Sequence, residues 1–274
     1  MPPVAHWGAK VLARRRSGRY AVLTVAAGGV ADRCRAGHFA SVSVAGQDSS
    51  MLLRRQVWIA NSSASGRDGG ALELVIDSAE PGGRRVAALE PGSVVDLMAP
   101  LGRPFSHPRE PVGVVMVAGG GVAAAPLIRL AADLGARGCR VTFLAAAHPE
   151  PFGMLDAKRV STATAVIDGD LGDAVRDHLG SDISVLYSAG PADVLCDVAR
   201  AAAGGVAHQA ALQTDLVCSA GTCTACVVPV TGRDQVTRMV RACTEGPVFN
   251  ADLVRWDDLG TIPDDCADAP EVLA

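Results

Sequence analysis

The stretch VGVVMVAGGGVAAAPLI, Val112 to Ile128, decides the fold. It is long and apolar enough to raise the question of a membrane span, but Gly113, the triplet Gly119, Gly120 and Gly121, and Pro126 interrupt it. It reads instead as a buried strand over Val112–Ala118, a glycine turn, and a helix over Ala124–Leu134. The unit recurs downstream. Arg140–Ala145 is another strand, and Ile183–Tyr187 followed by Ala192–Ala203 repeats strand then helix, with Gly190 and Pro191 in the turn. Strands alternating with helices predict a parallel sheet with crossovers. Glycines at such turns let the backbone approach a pyrophosphate at the helix N-terminus, although a tight structural turn has the same composition. Gly119, Gly120, Gly121, Pro126, Gly190 and Pro191 are therefore the candidate nucleotide-binding residues of this half.

Upstream the pattern differs. YAVLTVA, HFASVSVAG, LLRRQVWIA, ALELVID and SVVDLM are short β-rich runs at about ten-residue spacing, separated by Gly, Ser, Asp and Pro between Tyr20 and Phe105. They predict a small antiparallel barrel. The fold class expected is thus mixed: a barrel over residues 1–108, an α/β domain over 109–211, and a small cysteine-rich piece with an acidic tail over 212–274. That last piece has too few apolar residues for a core of its own, so a metal centre is expected to hold it.

Composition narrows the function. With 25 Lys+Arg against 29 Asp+Glu in 274 residues, the net charge is −4, and no basic stripe invites nucleic acid. Arg14, Arg15 and Arg16 read as a solvated charge run. The first twenty residues lack the apolar core of a secretory signal, so a cytoplasmic protein without a membrane span is expected. Thiols stay reduced there, and the eight cysteines are not expected to form disulfides.

Four cysteines crowd together. Cys218-x4-Cys223-x2-Cys226, with Cys243 sixteen residues further on, has the spacing that holds a [2Fe–2S] cluster in plant-type ferredoxins. Three thiolates on one loop wrap the cluster, and Ser219, Ala220, Gly221, Thr222, Thr224 and Ala225 are small enough for the backbone to approach it. A zinc ribbon would carry a second CxxC knuckle, which is missing here. Cys34, Cys139 and Cys196 read as buried thiols. Asp168 and Asp170, flanked by glycine, read as a turn, and the six histidines share no motif, so no catalytic residue is assigned.

These residues resemble a family, the electron-transfer subunits of the NAD-linked dihydroorotate dehydrogenases, within the ferredoxin–NADP reductase superfamily. RAGHF at Arg35–Phe39 is similar to the family's RAGQF, Leu53-Arg54-Arg55 to the start of its LRRPxS, and PLGRPF at Pro100–Phe105 to its PLGxGF. The glycine triplet through Leu127 resembles GGGxGxxPL, Asp168-Gly169 resembles DDGS, and the cysteine loop resembles CGxGxCxxC. CTEGPVF at Cys243–Phe249 is the most specific match, to CxxGPVF.

The resemblance implies a barrel holding FAD, an α/β domain admitting NAD(P)H, and a [2Fe–2S] cluster on Cys218, Cys223, Cys226 and Cys243 facing a catalytic flavoprotein partner in a hetero-oligomer. His148 and Glu150 follow the second α/β strand without an arginine cluster, which favours NADH over NADPH. Arg54, Arg55, Val57 and Trp58 are the implied flavin residues. Gly82, Gly83 and Arg84 stand for the family's phosphate loop, and Arg55 and Arg84 are the expected pyrophosphate contacts. Departures gather at the flavin: Gln56 and Trp58 replace the family's Pro and Ser, and Ala189 replaces the Cys of its CGP turn. The indole either stacks on a repositioned ring or fills the flavin's place. The alternative is therefore a flavin-less iron–sulfur relay or partner-stabilising subunit, serving pyrimidine synthesis or another, specialised enzyme.

Overall fold

The computed structural model describes residues 4–45, 50–66 and 69–267. Six strands close the barrel: β1 (Ala5–Ser17), β2 (Tyr20–Ala26), β3 (Phe39–Val42), β4 (Arg55–Ser63), β5 (Ala71–Asp77) and β6 (Val94–Leu101), in the order β1-β2-β5-β4-β3-β6. A short helix, α1 (Pro81–Ala87), lies between β5 and β6. β1 was not expected as a strand. Its 13 residues include the arginine run, and it pairs with both β2 and β6 to close the barrel. Its first half alternates, with Ala5, Trp7, Ala9 and Val11 inward and His6, Gly8 and Lys10 exposed, but two of the inward residues are only alanines, which makes the pattern faint in the sequence.

Strand alternation explains why this barrel cannot stand alone. Val57, Ile59, Leu72, Leu74, Ala40 and Val42 point into the barrel and form its core. The alternate residues Tyr20, Val22, Phe39, Trp58 and Val75 point outward, and they too are buried and apolar. Phe39 pairs with Trp58, Trp58 with Val75 and Val75 with Val22, so an apolar row crosses four strands. The second domain covers it.

That domain is built from β7 (Gly113–Ala118), α2 (Ala124–Gly135), β8 (Arg140–Ala146), α3 (Met154–Val160), β9 (Ala163–Ile167), α4 (Leu171–His178), β10 (Ile183–Gly190), α5 (Ala192–Ala202) and β11 (Ala207–Leu212). The parallel order is β9-β8-β7-β10-β11, so the chain reverses direction between β7 and β10, the switch point where open α/β sheets bind ligands. Asp170 sits in the turn expected of it and caps α4 by accepting from the Asp173 amide at 2.8 Å. Beyond β11 the cysteine segment carries the hairpin β12 (Val227–Thr231) and β13 (Thr237–Arg241). The chain then returns as β14 (Val248–Asn250), which pairs antiparallel with β11 and gives the sheet its sixth strand.

Several scattered motifs meet at this return. A Cβ on Gly37 would lie 2.9 Å from Val248 and 3.0 Å from the Phe105 amide, and one on Gly102 would lie 2.8 Å from the Gly246 carbonyl. The Arg103 amide donates to that carbonyl at 2.6 Å, and Phe105 donates to Ala36 at 2.9 Å. RAGHF, PLGRPF and GPVF thus form one junction of barrel, sheet and cysteine segment. Nearby, the Tyr187 hydroxyl donates to the Ser106 carbonyl at 2.8 Å, and its ring meets Phe105 edge-on at 5.6 Å.

Gly102→Ala, at φ +76 and against both Pro247 and Gly246, is expected to cost about 3 kcal/mol, whereas Gly169→Ala, with nothing within 4 Å, should be near neutral. Thermal midpoints of the two variants check this, and equal midpoints would refute the junction.

Two histidines make stability depend on pH. Burial holds His38 at a pKa of about 4, helped by the charges of Arg35 and Arg129, and burial alone holds His208 at about 4. The unfolded chain protonates them near 6.5, so their contribution is full above that pH and is lost progressively as pH falls toward 4. Denaturant midpoints measured at pH 7.5 and 5 should show the drop, and His38→Gln combined with His208→Gln should flatten it.

Candidate functional site

A cavity of about 880 Å³ opens at the switch point, between the barrel, the α/β domain and the start of the cysteine segment. The barrel contributes Arg19, residues 53–58 and Val75–Asp77. Gly119–Val122, Pro149 and Pro191 form the opposite side, and Gln213–Val217 complete the third. The volume falls in the range of small-molecule and cofactor sites.

The backbones of β7 and β10 touch at the crevice. A Cβ on Gly119 would lie 3.2 Å from the Gly190 Cα, and the Gly119 amide donates to Ala189 at 2.8 Å. Gly120, at φ +83, packs against the carbonyls of His148 and Pro149, and the Gly121 amide donates to Pro149 at 2.8 Å. Two amides of the triplet are therefore committed to protein carbonyls. The turn's glycines serve close packing as well as any approach to a ligand.

Of the residues singled out from sequence, Arg54, Arg55, Val57, Trp58, Gly83, Gly119, Gly120, Gly121 and Pro191 line the cavity. Gly82, Arg84, Pro126 and Gly190 are not among its lining residues. Arg54 is occupied structurally: it pairs with Asp96 at 2.6 Å and donates to the Ser41 hydroxyl at 3.0 Å. The Val57 side chain belongs to the barrel core. Arg84 is exposed and donates to the Ala79 carbonyl at 2.5 Å. Gly82 is a glycine because Arg55 lies directly against it, where a Cβ would collide with the guanidinium. That contact and a 3.0 Å bond to the Leu53 carbonyl hold the Arg55 cation at the cavity wall.

Trp58 is 2% exposed, so its indole forms part of the wall and leaves the cavity open. Two buried polar atoms on this wall, Arg55 Nε and Gln56 Oε1, have no hydrogen-bond partner among the described residues. Unpaired buried polar atoms next to an open cavity suit a polar ligand such as a dinucleotide. Sequence reasoning passed over Arg19, paired with Asp77 at 2.6 Å, and the segment Gln213–Val217. Neither carries a motif, whereas Gln56 was visible as a departure from the family's Pro after the paired arginines.

The cysteine loop turns through left-handed backbone at Ser219 (φ 58), Gly221 (φ 78) and Thr224 (φ 55). Such turns gather amides into concavities of the kind that hold anions and iron–sulfur centres. Against the upward push of partial burial, hydrogen bonds involving Thr222, the Ala220 and Cys223 amides and the Cys223 thiol bring the Cys218 thiol down to about 5. Burial, then the Cys226 thiol, pushes Cys243 up to about 12. The four thiols are near enough to act on one another electrostatically, Cys223 on Cys218 and both Cys226 and Cys218 on Cys243. Among the described residues no three His, Cys, Asp or Glu side chains converge on a single-ion site. Four free thiols on a loop of left-handed turns and the turn after β13 fit a two-iron cluster, which takes four thiolates.

Arg241 ties the fourth cysteine to the loop. It donates to the Gly221 carbonyl at 3.0 Å and pairs with Glu245 at 2.9 Å, and the guanidinium holds that carboxyl down at about 2. Cys218 is half-buried, Cys223 is exposed, and Cys226 and Cys243 are buried.

Residues 213–255 match the family model described as the iron–sulfur cluster binding domain of dihydroorotate dehydrogenase B. Over 224 residues the chain is 30% identical to the dihydroorotate dehydrogenase B (NAD(+)) electron transfer subunit of Desulforamulus reducens, covering 77% of this chain and 84% of that one. A Bacillus cereus subunit of the same name is 28% identical over 225 residues, covering 78% and 84%. Among solved structures, an NADH-dependent reduced ferredoxin–NADP oxidoreductase superposes with a TM-score of 0.76 at 21% identity, over 94% of this chain and 93% of the other. Phthalate dioxygenase reductase superposes with a TM-score of 0.54 at 15% identity, over 86% and 77%.

Barrel, switch-point crevice and cysteine loop together define an iron–sulfur oxidoreductase chain with the ferredoxin–NADP reductase fold. The chain belongs to the family of dihydroorotate dehydrogenase B electron transfer subunits.

Arg241→Ala is expected to leave the barrel and α/β sheet folded while lowering cluster retention. Iron and labile sulfide per chain, read against far-ultraviolet circular dichroism, measure this; full iron content in the variant would refute the tie.

Proposed function

We propose that this chain moves electrons between NAD(P)H and a catalytic flavoprotein partner, through FAD in the cavity and a [2Fe–2S] cluster on Cys218, Cys223, Cys226 and Cys243. The observation that carries the reading is covalent continuity. Val217 lines the cavity and is bonded to Cys218, so the wall of the nucleotide site runs directly into the first thiol of the cluster loop. FAD held there would supply the exchange between two-electron nicotinamide and one-electron iron–sulfur chemistry.

The chain's own residues orient and enclose. Arg55 supplies a fixed positive charge for a pyrophosphate, and Trp58 and Val75 exclude water from the barrel side. Gly119 to Gly121 and Pro191, opposite them, suit the nicotinamide coenzyme. Exposed Cys223 marks the side on which the partner docks, giving a hetero-oligomer. Residues 1–108, 109–211 and 212–274 would be the flavin, nicotinamide and cluster units. No helix among the described residues is long and apolar enough to cross a membrane, and a cytoplasmic location accords with four reduced thiols at the cluster.

The named relatives are subunits of a dihydroorotate dehydrogenase, which supports a role in pyrimidine biosynthesis. A second reading, a flavin-less relay, draws on the commitment of the Gly119 and Gly121 amides to protein carbonyls and on the indole in the wall.

Anaerobic purification with quantification of iron, sulfide and extracted flavin separates the two. One FAD and two irons per chain, with cluster bleaching on addition of NADH, are expected. Two irons without flavin would establish the relay instead, and zinc in place of iron would overturn both.

A further inference from the structure

The glycine turn is engaged by the protein itself. The Gly119, Gly121 and Ala123 amides donate to the carbonyls of Ala189 at 2.8 Å, Pro149 at 2.8 Å and Gly120 at 3.2 Å. Such amides are the donors that a helix N-terminus offers the pyrophosphate of a dinucleotide. Ala189 belongs to the inner strand β10, and Gly120 to the turn. Only Pro149 lies on a connecting loop, residues 147–153 between β8 and α3, and there it lines the cavity.

That loop is bound to the turn in both directions. The Phe152 amide donates to the Gly121 carbonyl at 2.9 Å, so Gly121 gives the loop one hydrogen bond and takes another. The barrel holds the loop as well. The Tyr20 hydroxyl donates to the Glu150 carbonyl, and a Cβ on Gly121 would lie 3.9 Å from that hydroxyl. The Tyr20 ring is fixed in turn, edge-on to Phe152 at 5.7 Å and with the Arg19 guanidinium 5.6 Å over its centre. At 3% exposure it is part of the seam between barrel and α/β domain. A single hydroxyl from β2 thus pins the loop beside the turn.

We propose that residues 149–152 are a latch over the glycine turn, that the pyrophosphate of the coenzyme gains the Gly121 amide only as the latch lifts, and that Tyr20 is the positioning residue that sets how readily it does. This rests on the reading that the crevice takes a nicotinamide coenzyme. With the latch down, the Pro149 carbonyl satisfies the Gly121 donor. With it lifted, phosphate oxygens replace that carbonyl, and the bonds from Phe152 to Gly121 and from Tyr20 to Glu150 are given up. Coenzyme affinity is therefore reduced in proportion to the fraction of chains that are latched, and the Tyr20 hydroxyl raises that fraction.

The test uses the full oxidised chain with its FAD and cluster, and NAD+, which leaves both oxidised. Tyr20→Phe keeps the ring and removes the hydroxyl. It should bind NAD+ about fivefold tighter in a calorimetric titration, the scale of one hydrogen bond lost from the competing closed form. In NADH-driven reduction of the cluster the gain should appear in KM rather than in kcat. A tyrosine that only braced the fold would move the affinity the other way or leave it alone. Hydrogen exchange reads the latch without any variant: saturating NAD+ should speed exchange of the Phe152 amide as its bond to Gly121 breaks.

Unchanged or weaker NAD+ binding in Tyr20→Phe would overturn the latch while the nicotinamide reading stood. So would a Phe152 amide whose exchange is unchanged or slowed in the complex. A chain that binds neither NAD+ nor NADP+, with or without the tyrosine, would overturn both the latch and the reading beneath it.

Discussion

The row Val22, Val75, Trp58 and Phe39 is apolar on the outside of a barrel whose inside is already filled. Burial on both faces is the constraint on which the rest of the molecule depends, because a barrel with such a wall is incomplete until a second layer covers it. The α/β domain provides that layer. The outer row of the barrel, the residues around the glycine turn and the buried cysteines Cys226 and Cys243 then belong to one continuous apolar cluster. The cavity lies along this seam. Its walls are accordingly set by packing between units that are far apart in the chain.

The glycines divide into two kinds. Gly37 and Gly102 lie where distant parts of the chain cross, and their small size lets the cysteine segment dock on the barrel. Gly120 and Gly190 lie at the crevice, and there the nearest atoms are protein backbone. A motif that looks like a nucleotide cradle is thus also a packing device, which accounts for why such a turn is ambiguous in a sequence by itself.

Much of the architecture was legible because it rests on periodicity. The run Val114–Ala118 is buried at every position, as a central parallel strand must be, and the strands of the barrel alternate. β1 was hidden because two of its four inward positions, Ala5 and Ala9, are only alanines and a run of three arginines, Arg14 to Arg16, follows them. The cysteines were legible from spacing alone. The flavin side was less so, since whether an arginine is free depends on partners such as Asp96 and Gly82, which lie tens of residues away. No local pattern shows that Val57 turns inward and Trp58 outward until the register of β3, β4 and β5 is known.

The return of the chain as β14 has a further meaning. β11 and β14 are antiparallel neighbours, with Ala210 opposite Phe249 and Ala211 opposite Val248. The whole cysteine segment between them is, in topological terms, the loop of a hairpin whose two ends stand about 5 Å apart. A piece of chain entering and leaving at one point can be exchanged, enlarged or lost while the host sheet keeps its order. Residues beyond β14 nonetheless bridge back to the hairpin of this segment, Val254 to Val230 and Cys266 to Thr237, so the end of the chain clasps the cluster module from outside the sheet.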